Sequence, residues 1–197
     1  MKFDEIQRVL ETKVVGIAGC GGIGSNAAVA LARVGVGKLV IADFDMIEET
    51  NLNRQYYFYD QIGRPKAPVL KENIQRINPS VDVDAHIVSL DPKGVIALFS
   101  RCDIILEAFD KAEMKEMIIE AVLSSMPEKP LISGVGMAGW GRNDSITVDR
   151  HGNLFLVGDR QSEVGEEHPC LAPRVGVVAN LMANIALELL LGKEDQI

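Results

Sequence analysis

VVGIAGCGGIGSNAAVALARVGVGKLVIADFDMIEETNLN, residues Val14 to Asn53, decides the fold of this chain. A short apolar run, Val14 to Ala18, leads into a glycine cluster at Gly19, Gly21, Gly22 and Gly24. An apolar-periodic segment follows from Asn26 to Val34, and a second apolar run, Leu39 to Ala42, ends on Asp43. The order is strand, tight turn, helix, strand, acid. Gly19, Gly21 and Gly24 fit G-x-G-x-x-G, and Asp43 lies about 20 residues on, as a dinucleotide fingerprint requires. The glycines let the backbone turn tightly and approach a phosphate, which then faces the free N–H groups and positive dipole end of the helix. Asp43 suits ribose hydroxyls as an acceptor. The stretch leaves open whether the nucleotide is NAD or ATP, and a glycine-rich turn without a ligand is the plainer alternative.

Working outward, 197 residues suffice for one domain with a full core, taken as 1–197. At 47% hydrophobic and 24% charged the composition is globular, and the net charge of −8 argues against non-specific nucleic-acid or anionic-membrane binding. No apolar run is expected to approach a membrane span, and the start, MKFDEIQRVLETK, does not read as a signal peptide. Cys20, Cys102 and Cys170 are far apart and form no C-x-x-C, so neither a disulfide framework nor a structural zinc site is expected. The simplest compartment is the reducing cytoplasm.

Periodicity predicts helices over Phe3–Leu10, Asn26–Val34, Pro65–Ile77, Pro92–Phe99, Ala112–Ser125 and Val175–Leu191. It predicts strands over Lys13–Ala18, Lys38–Ala42, Val81–Val88, Asp103–Glu107 and Pro130–Ser133. A hairpin around His151-Gly152 pairs Ser145–Asp149 with Asn153–Val157. Phe44–Gly63 is a long polar loop with aromatics packed into Tyr56–Tyr59, which argue for order, and Gly158–Pro173 is a second long, charged loop. The alternation implies an α/β, Rossmann-like, mostly parallel sheet with helices on both faces and an antiparallel hairpin at one edge. Ligands in such sheets sit beyond the carboxyl ends of the strands, so the Gly19 turn, Asp43 and Asp110 should share one rim.

Two cations, Arg54 in NLNRQ and Lys66 at the start of a helix, can bind phosphates and neutralise charge that builds at phosphorus. Asp110 suits magnesium, which needs only one or two carboxylates plus phosphate oxygens, although it could simply cap the following helix. Together they fit phosphoryl or nucleotidyl transfer better than hydride transfer. Ser25-Asn26 follow Gly24, so there is no Walker lysine and no P-loop.

GCGGIG (19–24), ADFD (42–45), NLNRQ (51–55), GRPK (63–66) and RINP (76–79) resemble the ThiF/MoeB/HesA family, which shares its fold with the ubiquitin-activating enzymes. The resemblance runs from Val14 to Gly192, and EAFDKAE, SGVGMAGWG and APRVGVVANLMANIALELLLG are similar to the short ThiF type. It implies ATP-dependent adenylation, with magnesium, of the C-terminal Gly-Gly carboxylate of a small ubiquitin-like sulfur carrier. The carrier is ThiS-like for thiamine or MoaD-like for molybdopterin. By motif position Gly22 would contact the nucleotide and Asp43 the ribose. Asn51, Arg54 and Lys66 would contact phosphates with Gln55 nearby, and Asp110 would hold magnesium. A homodimer is implied, with Leu31–Val36 and the final helix as candidate surfaces.

Departures from the family pattern qualify these expectations. The two C-x-x-C pairs of many relatives are missing, so zinc is not expected. The segment before Val14 lacks an RYxRQ-like motif and offers only Arg8, most simply a solvated helix arginine. Cys170, beside His168, is a possible sulfur-transfer or covalent residue by resemblance and otherwise a small loop residue. Cys20 and Cys102 read as structural, and Trp140, Met137 and Met182 as core or interface packing. The remaining readings are a non-catalytic nucleotide- or carrier-binding module, or an NAD(P)-dependent oxidoreductase.

Overall fold

In the computed structural model, which describes residues 1–192, β1 (Val14–Ala18) runs between β2 (Lys38–Ala42) and β4 (Ile104–Glu107), parallel to both. The sheet has seven strands in the order β3-β2-β1-β4-β5-β7-β6, with β3 at Asp82–His86, β5 at Leu131–Gly134, β6 at Thr147–His151 and β7 at Leu154–Gly158. Only the edge pair β6–β7 is antiparallel, as the hairpin in the sequence suggests. The chain leaves β1 in one direction to β2 and β3 and in the other to β4. The carboxyl ends of β1, β2 and β4 therefore flank the switch point where such sheets bind ligands.

Helices cover both faces, and the period-two alternation of the strands assigns them. Val15 and Ile17 face a core built with α1 (Phe3–Leu10), α2 (Gly22–Val34), α3 (Lys66–Ile77) and α6 (Ala172–Leu191). Ala18 and Val40 face a second core with α4 (Pro92–Phe99) and α5 (Ala112–Ser125). Gly16 is small on that side because an added Cβ would lie 2.6 Å from the Phe99 ring.

Several boundaries differ from the sequence expectation. Both hairpin strands begin later, because Asn143–Ser145 closes a tight 3-10 turn in which the Arg142 carbonyl accepts from the Ser145 N–H and hydroxyl. α6 begins three residues earlier than Val175, since Pro173 suits a first helical turn, where its missing N–H costs nothing. It is 20 residues long, and an 18-residue window of it with mean hydropathy 1.6 does reach the length and composition of a membrane span, contrary to expectation. Half of that window is buried inside the fold, with Val178, Met182 and Ala186 in the core, so here it serves as a core helix.

The Phe44–Gly63 loop is ordered, though not by its aromatics as a group. Tyr57 is buried, while Phe58 and Tyr59 are exposed. Much of the order comes from a buried amide pair. Gln61 Nε2 donates to Asn73 Oδ1 at 2.7 Å, and Asn73 Nδ2 returns a bond to Gln61 Oε1 at 3.1 Å.

Candidate active site

The rim is built on the glycine turn. Gly19 has φ +96°, and a Cβ there would meet the Ala108 carbonyl oxygen at 2.7 Å, so β1 and β4 leave room only for glycine. Gly24 fixes the approach of α2: a Cβ would lie 1.8 Å from the Gly19 carbonyl oxygen. No side chain caps α2 at Gly21, which leaves its first N–H groups facing the rim.

Asp43 ends β2 and is buried against this turn. Its Oδ2 accepts from the Cys20 N–H at 2.6 Å and its Oδ1 from the Asp45 N–H at 2.7 Å. Each oxygen keeps a second lone pair for a hydroxyl donor. Burial pushes the carboxyl above the ordinary value, and the two N–H bonds and the nearby Lys66 charge offset this only in part.

Lys66 is a buried cation, only 7% exposed in its side chain, and its Nζ donates to Asp45 Oδ2 at 2.8 Å. Its backbone N–H donates to the Asp45 carbonyl at 2.9 Å. The Tyr57 hydroxyl lies 2.8 Å from the Cys20 carbonyl and 3.4 Å from that of Lys66. Cys20, Asp43, Asp45, Lys66 and Tyr57 thus form a closed hydrogen-bonded ring. Sequence reading found Asp43 and Lys66 but missed Asp45 and Tyr57. The second aspartate of ADFD was a local signal for one of them. The Cys20 side chain is fully buried inside this ring, and burial drives its thiol well above the usual range, as expected of a structural cysteine.

NLNRQ packs on the start of α2. Asn26 Nδ2 donates to the Gly22 carbonyl at 2.6 Å and to the Arg54 carbonyl at 2.9 Å, and a Cβ on Gly22 would lie 3.5 Å from Arg54 Cγ. The Arg54 guanidinium donates to the Thr50 carbonyl at 3.0 Å and to Asn53 Oδ1 at 2.7 Å, and among the described residues it forms no ion pair. Its charge is therefore not neutralised locally. Gln55 is buried, its Oε1 finds no hydrogen-bond partner among the described residues, and its Nε2 lies 3.7 Å from where a Gly21 Cβ would sit. Asn51 is buried and its Oδ1 accepts from the Glu48 N–H at 3.1 Å, closing the turn before Arg54.

Asp110 follows β4, is exposed and does not cap α5, whose N-cap is Lys111 without a side-chain bond. The turn that presents it is fixed by Glu107, a fully buried carboxylate that sequence reading took only as a strand residue. Glu107 accepts from the Phe109 N–H at 2.6 Å, from Ser133 Oγ at 2.5 Å and from Lys115 Nζ at 2.9 Å. These partners commit Glu107, whereas Asp110 stays available. Among the described residues no three His, Cys, Asp or Glu side chains gather as a metal cluster. One free carboxylate still fits magnesium, which takes the rest of its shell from water and phosphate oxygens.

Cys170 sits beside this rim. Its carbonyl accepts from Asn53 Nδ2 at 3.2 Å, and the Ala172 N–H donates to the Asn53 carbonyl at 3.2 Å, tying the start of α6 to NLNRQ. Burial pushes the Cys170 thiol up, and Arg54 opposes this only partly, so the thiolate needed for nucleophilic work is scarce at neutral pH. Met182 is fully buried as core packing requires, and Trp140, 71% exposed, is left with the interface alternative. One further expectation changes. Leu31, Ala32 and Val36 are fully buried in the protein's own core and are not a free surface for a second subunit.

The chain belongs to the ThiF family, whose model matches residues 2–197. It is 31% identical to the sulfur carrier protein ThiS adenylyltransferase of Escherichia coli (strain K12), over 98% of this chain and 77% of that protein. It is 29% identical to the molybdopterin-synthase adenylyltransferase of the same organism, over 96% of this chain and 77% of that one. In fold it is similar to E. coli tRNA N6-threonylcarbamoyladenosine dehydratase, TcdA, crystallised in complex with ATP. The TM-score is 0.86 at 22% identity, covering 95% of this chain and 89% of that one.

Proposed function

We propose that this protein is an ATP-dependent adenylyltransferase that activates the C-terminal carboxylate of a small sulfur carrier. The observation that carries the reading is the composition of one rim. An acid suited to ribose, a buried lysine, an arginine without a carboxylate partner and a free Asp110 surround an uncapped helix end. The curated relatives named for this activity support it. In the reaction the carrier carboxylate attacks the α-phosphorus, an acyl–phosphate bond forms, and the bond to the pyrophosphate oxygen breaks. No general base is needed, because a terminal carboxylate is already ionised at neutral pH. Its negative charge repels the phosphate centre, and Arg54 and Lys66 offset that repulsion. Gly22 and Asn51 would line the phosphate path, and Gln55 would offer its unpartnered oxygen to a donor on the nucleotide. Asp110 would hold magnesium, which supplies charge neutralisation on the phosphates.

Between carriers we favour a ThiS-like one, and thus thiamine biosynthesis in the cytoplasm, on the motifs of the short ThiF type. Cys170, whose carbonyl accepts from Asn53, would lie beside a carrier tail that reached Arg54, and its raised thiol pKa favours a packing role over a covalent one. A homodimer would use α6, where Val177 is 53% exposed, rather than the buried Leu31, Ala32 and Val36. ATP–pyrophosphate exchange with purified ThiS-like carrier tests the activity. The wild-type chain should exchange, and Arg54→Ala should lose about 10²-fold or more in rate. Exchange by the wild type that Arg54→Ala leaves intact would overturn the site assignment. ATP binding without exchange would instead favour a binding module.

A further inference from the structure

The ring around Lys66 contains a carboxylate that no part of the proposed chemistry uses. Asp45 makes three hydrogen bonds, and all of them lie in that ring. Its N–H donates to Asp43 Oδ1, its carbonyl accepts from the Lys66 N–H, and its Oδ2 accepts from Lys66 Nζ at 2.8 Å. Its charge also helps to raise the Asp43 carboxyl and the Tyr57 hydroxyl above their ordinary values. The Asp45 side chain is itself 44% exposed at the rim, whereas that of Lys66 is almost completely enclosed. An enclosed lysine with a flexible four-carbon stem has no reason to point at one place unless something holds it. Asp45 is the only carboxylate paired with it among the described residues. An ammonium carries three donors, and Asp45 takes one, so two remain for phosphate oxygens.

We infer that Asp45 is a positioning residue, which fixes the Lys66 ammonium at the rim before nucleotide arrives and couples it to the ribose-side acid Asp43. This rests on the reading of the rim as a nucleotide site. The alternative is that Asp45 competes with phosphate for Lys66 and acts as a latch. The enclosed setting argues against that, because a phosphate can add to the two remaining donors without displacing the first. Pre-placed charge needs no reorganisation when a ligand binds or reacts, which is where such groups gain their effect.

A double-mutant cycle on the full chain tests this. ATP and adenosine affinities are measured for wild type, Asp45→Asn, Lys66→Met and the double variant, with adenosine read by competition against ATP. Asp45→Asn is expected to weaken ATP about tenfold while leaving adenosine within about twofold, because only ATP carries phosphates for Lys66. In the Lys66→Met background, Asp45→Asn should change neither. Equal losses for ATP and adenosine would mark a purely structural role and overturn the inference. So would an Asp45 effect that persists without Lys66, or tighter ATP binding in Asp45→Asn. If Asp45→Asn fails to fold, the double variant, which leaves no unpaired buried ammonium, is compared with Lys66→Met alone. Pyrophosphate exchange run alongside separates the two claims. Binding without exchange removes the proposed activity and leaves the positioning role standing on the affinities, whereas absence of ATP binding overturns both.

Discussion

Arg174 and Asp159 meet at 2.7 Å with almost no solvent access, in a part of the chain read from sequence as a charged loop. Burial opposes the Asp159 charge, but the N–H groups of Ser162 and Gln161 and the Arg174 guanidinium outweigh it, so the carboxyl titrates well below the ordinary range. The sign follows from proton counting. Between the low folded value and an ordinary unfolded value near 3.9, the unfolded chain binds more protons, so stability rises with pH there. The contribution is complete above about pH 5 and is lost as the pH falls through the folded value. Asp159→Asn should cost about 3 kcal/mol or more at pH 7, because it leaves Arg174 buried without a counter-charge. It should also flatten the loss of stability below about pH 4. Urea melts across pH check both. Arg174 also donates to the Gly141 carbonyl at 2.6 Å and to Ser145 Oγ at 2.9 Å, so one side chain ties the Gly139–Ser145 turn to α6.

At the scale of elements, α2 and the turn before it are one unit. A Cβ on Gly24 would run into the Gly19 backbone and one on Gly22 into Val175 of α6, and Asn26 holds the NLNRQ loop. Gly24→Ala would gain about 1 kcal/mol of helix propensity at an open site. Here the new methyl meets a backbone oxygen 1.8 Å away, so the helix must shift. We expect a net loss of about 1–3 kcal/mol, read as a lowered melting temperature. This unit was legible in the sequence because its signals are local. Glycines mark the turn, short continuous apolar runs flank a segment of period 3.6, and Asp43 follows the second run. The boundaries of α1, β2, α4 and α5 were legible for the same reason. The partner of Lys66 was not legible, since Asp45 lies 21 residues away and the loop between them has no period to follow. Nor was Glu107 legible as the anchor of the Asp110 turn, because its partners Lys115 and Ser133 come from α5 and β5. The site's residue types are written along the chain, but their pairings arise only from the fold.

For the whole molecule, the two cores divide the work. The face with α2, α3 and α6 carries the glycine turn, NLNRQ and the start of α6, while the face with α4 and α5 supports the strands from behind. Both margins of the sheet are charged. β3 presents Asp82 and Asp84, and β6 presents Asp149 and Arg150. Their outer N–H and C=O groups would otherwise invite another strand. The β3 carboxylates are themselves paired, Asp82 with Lys38 at 2.9 Å and Asp84 with His86 at 2.9 Å, so this margin is a row of charged and polar groups of the kind that discourages edge-to-edge pairing. Sheet-to-sheet growth is thereby discouraged at β3, and the proposed homodimer would form through helical faces, where a two-fold contact closes on itself. If that proposal holds, sedimentation gives one species at the dimer mass, and a monomer alone or a ladder of larger assemblies would contradict it. The VDVDAH strand, by carrying charge along an otherwise open row of N–H and C=O groups, acts as a terminus against sheet polymerisation.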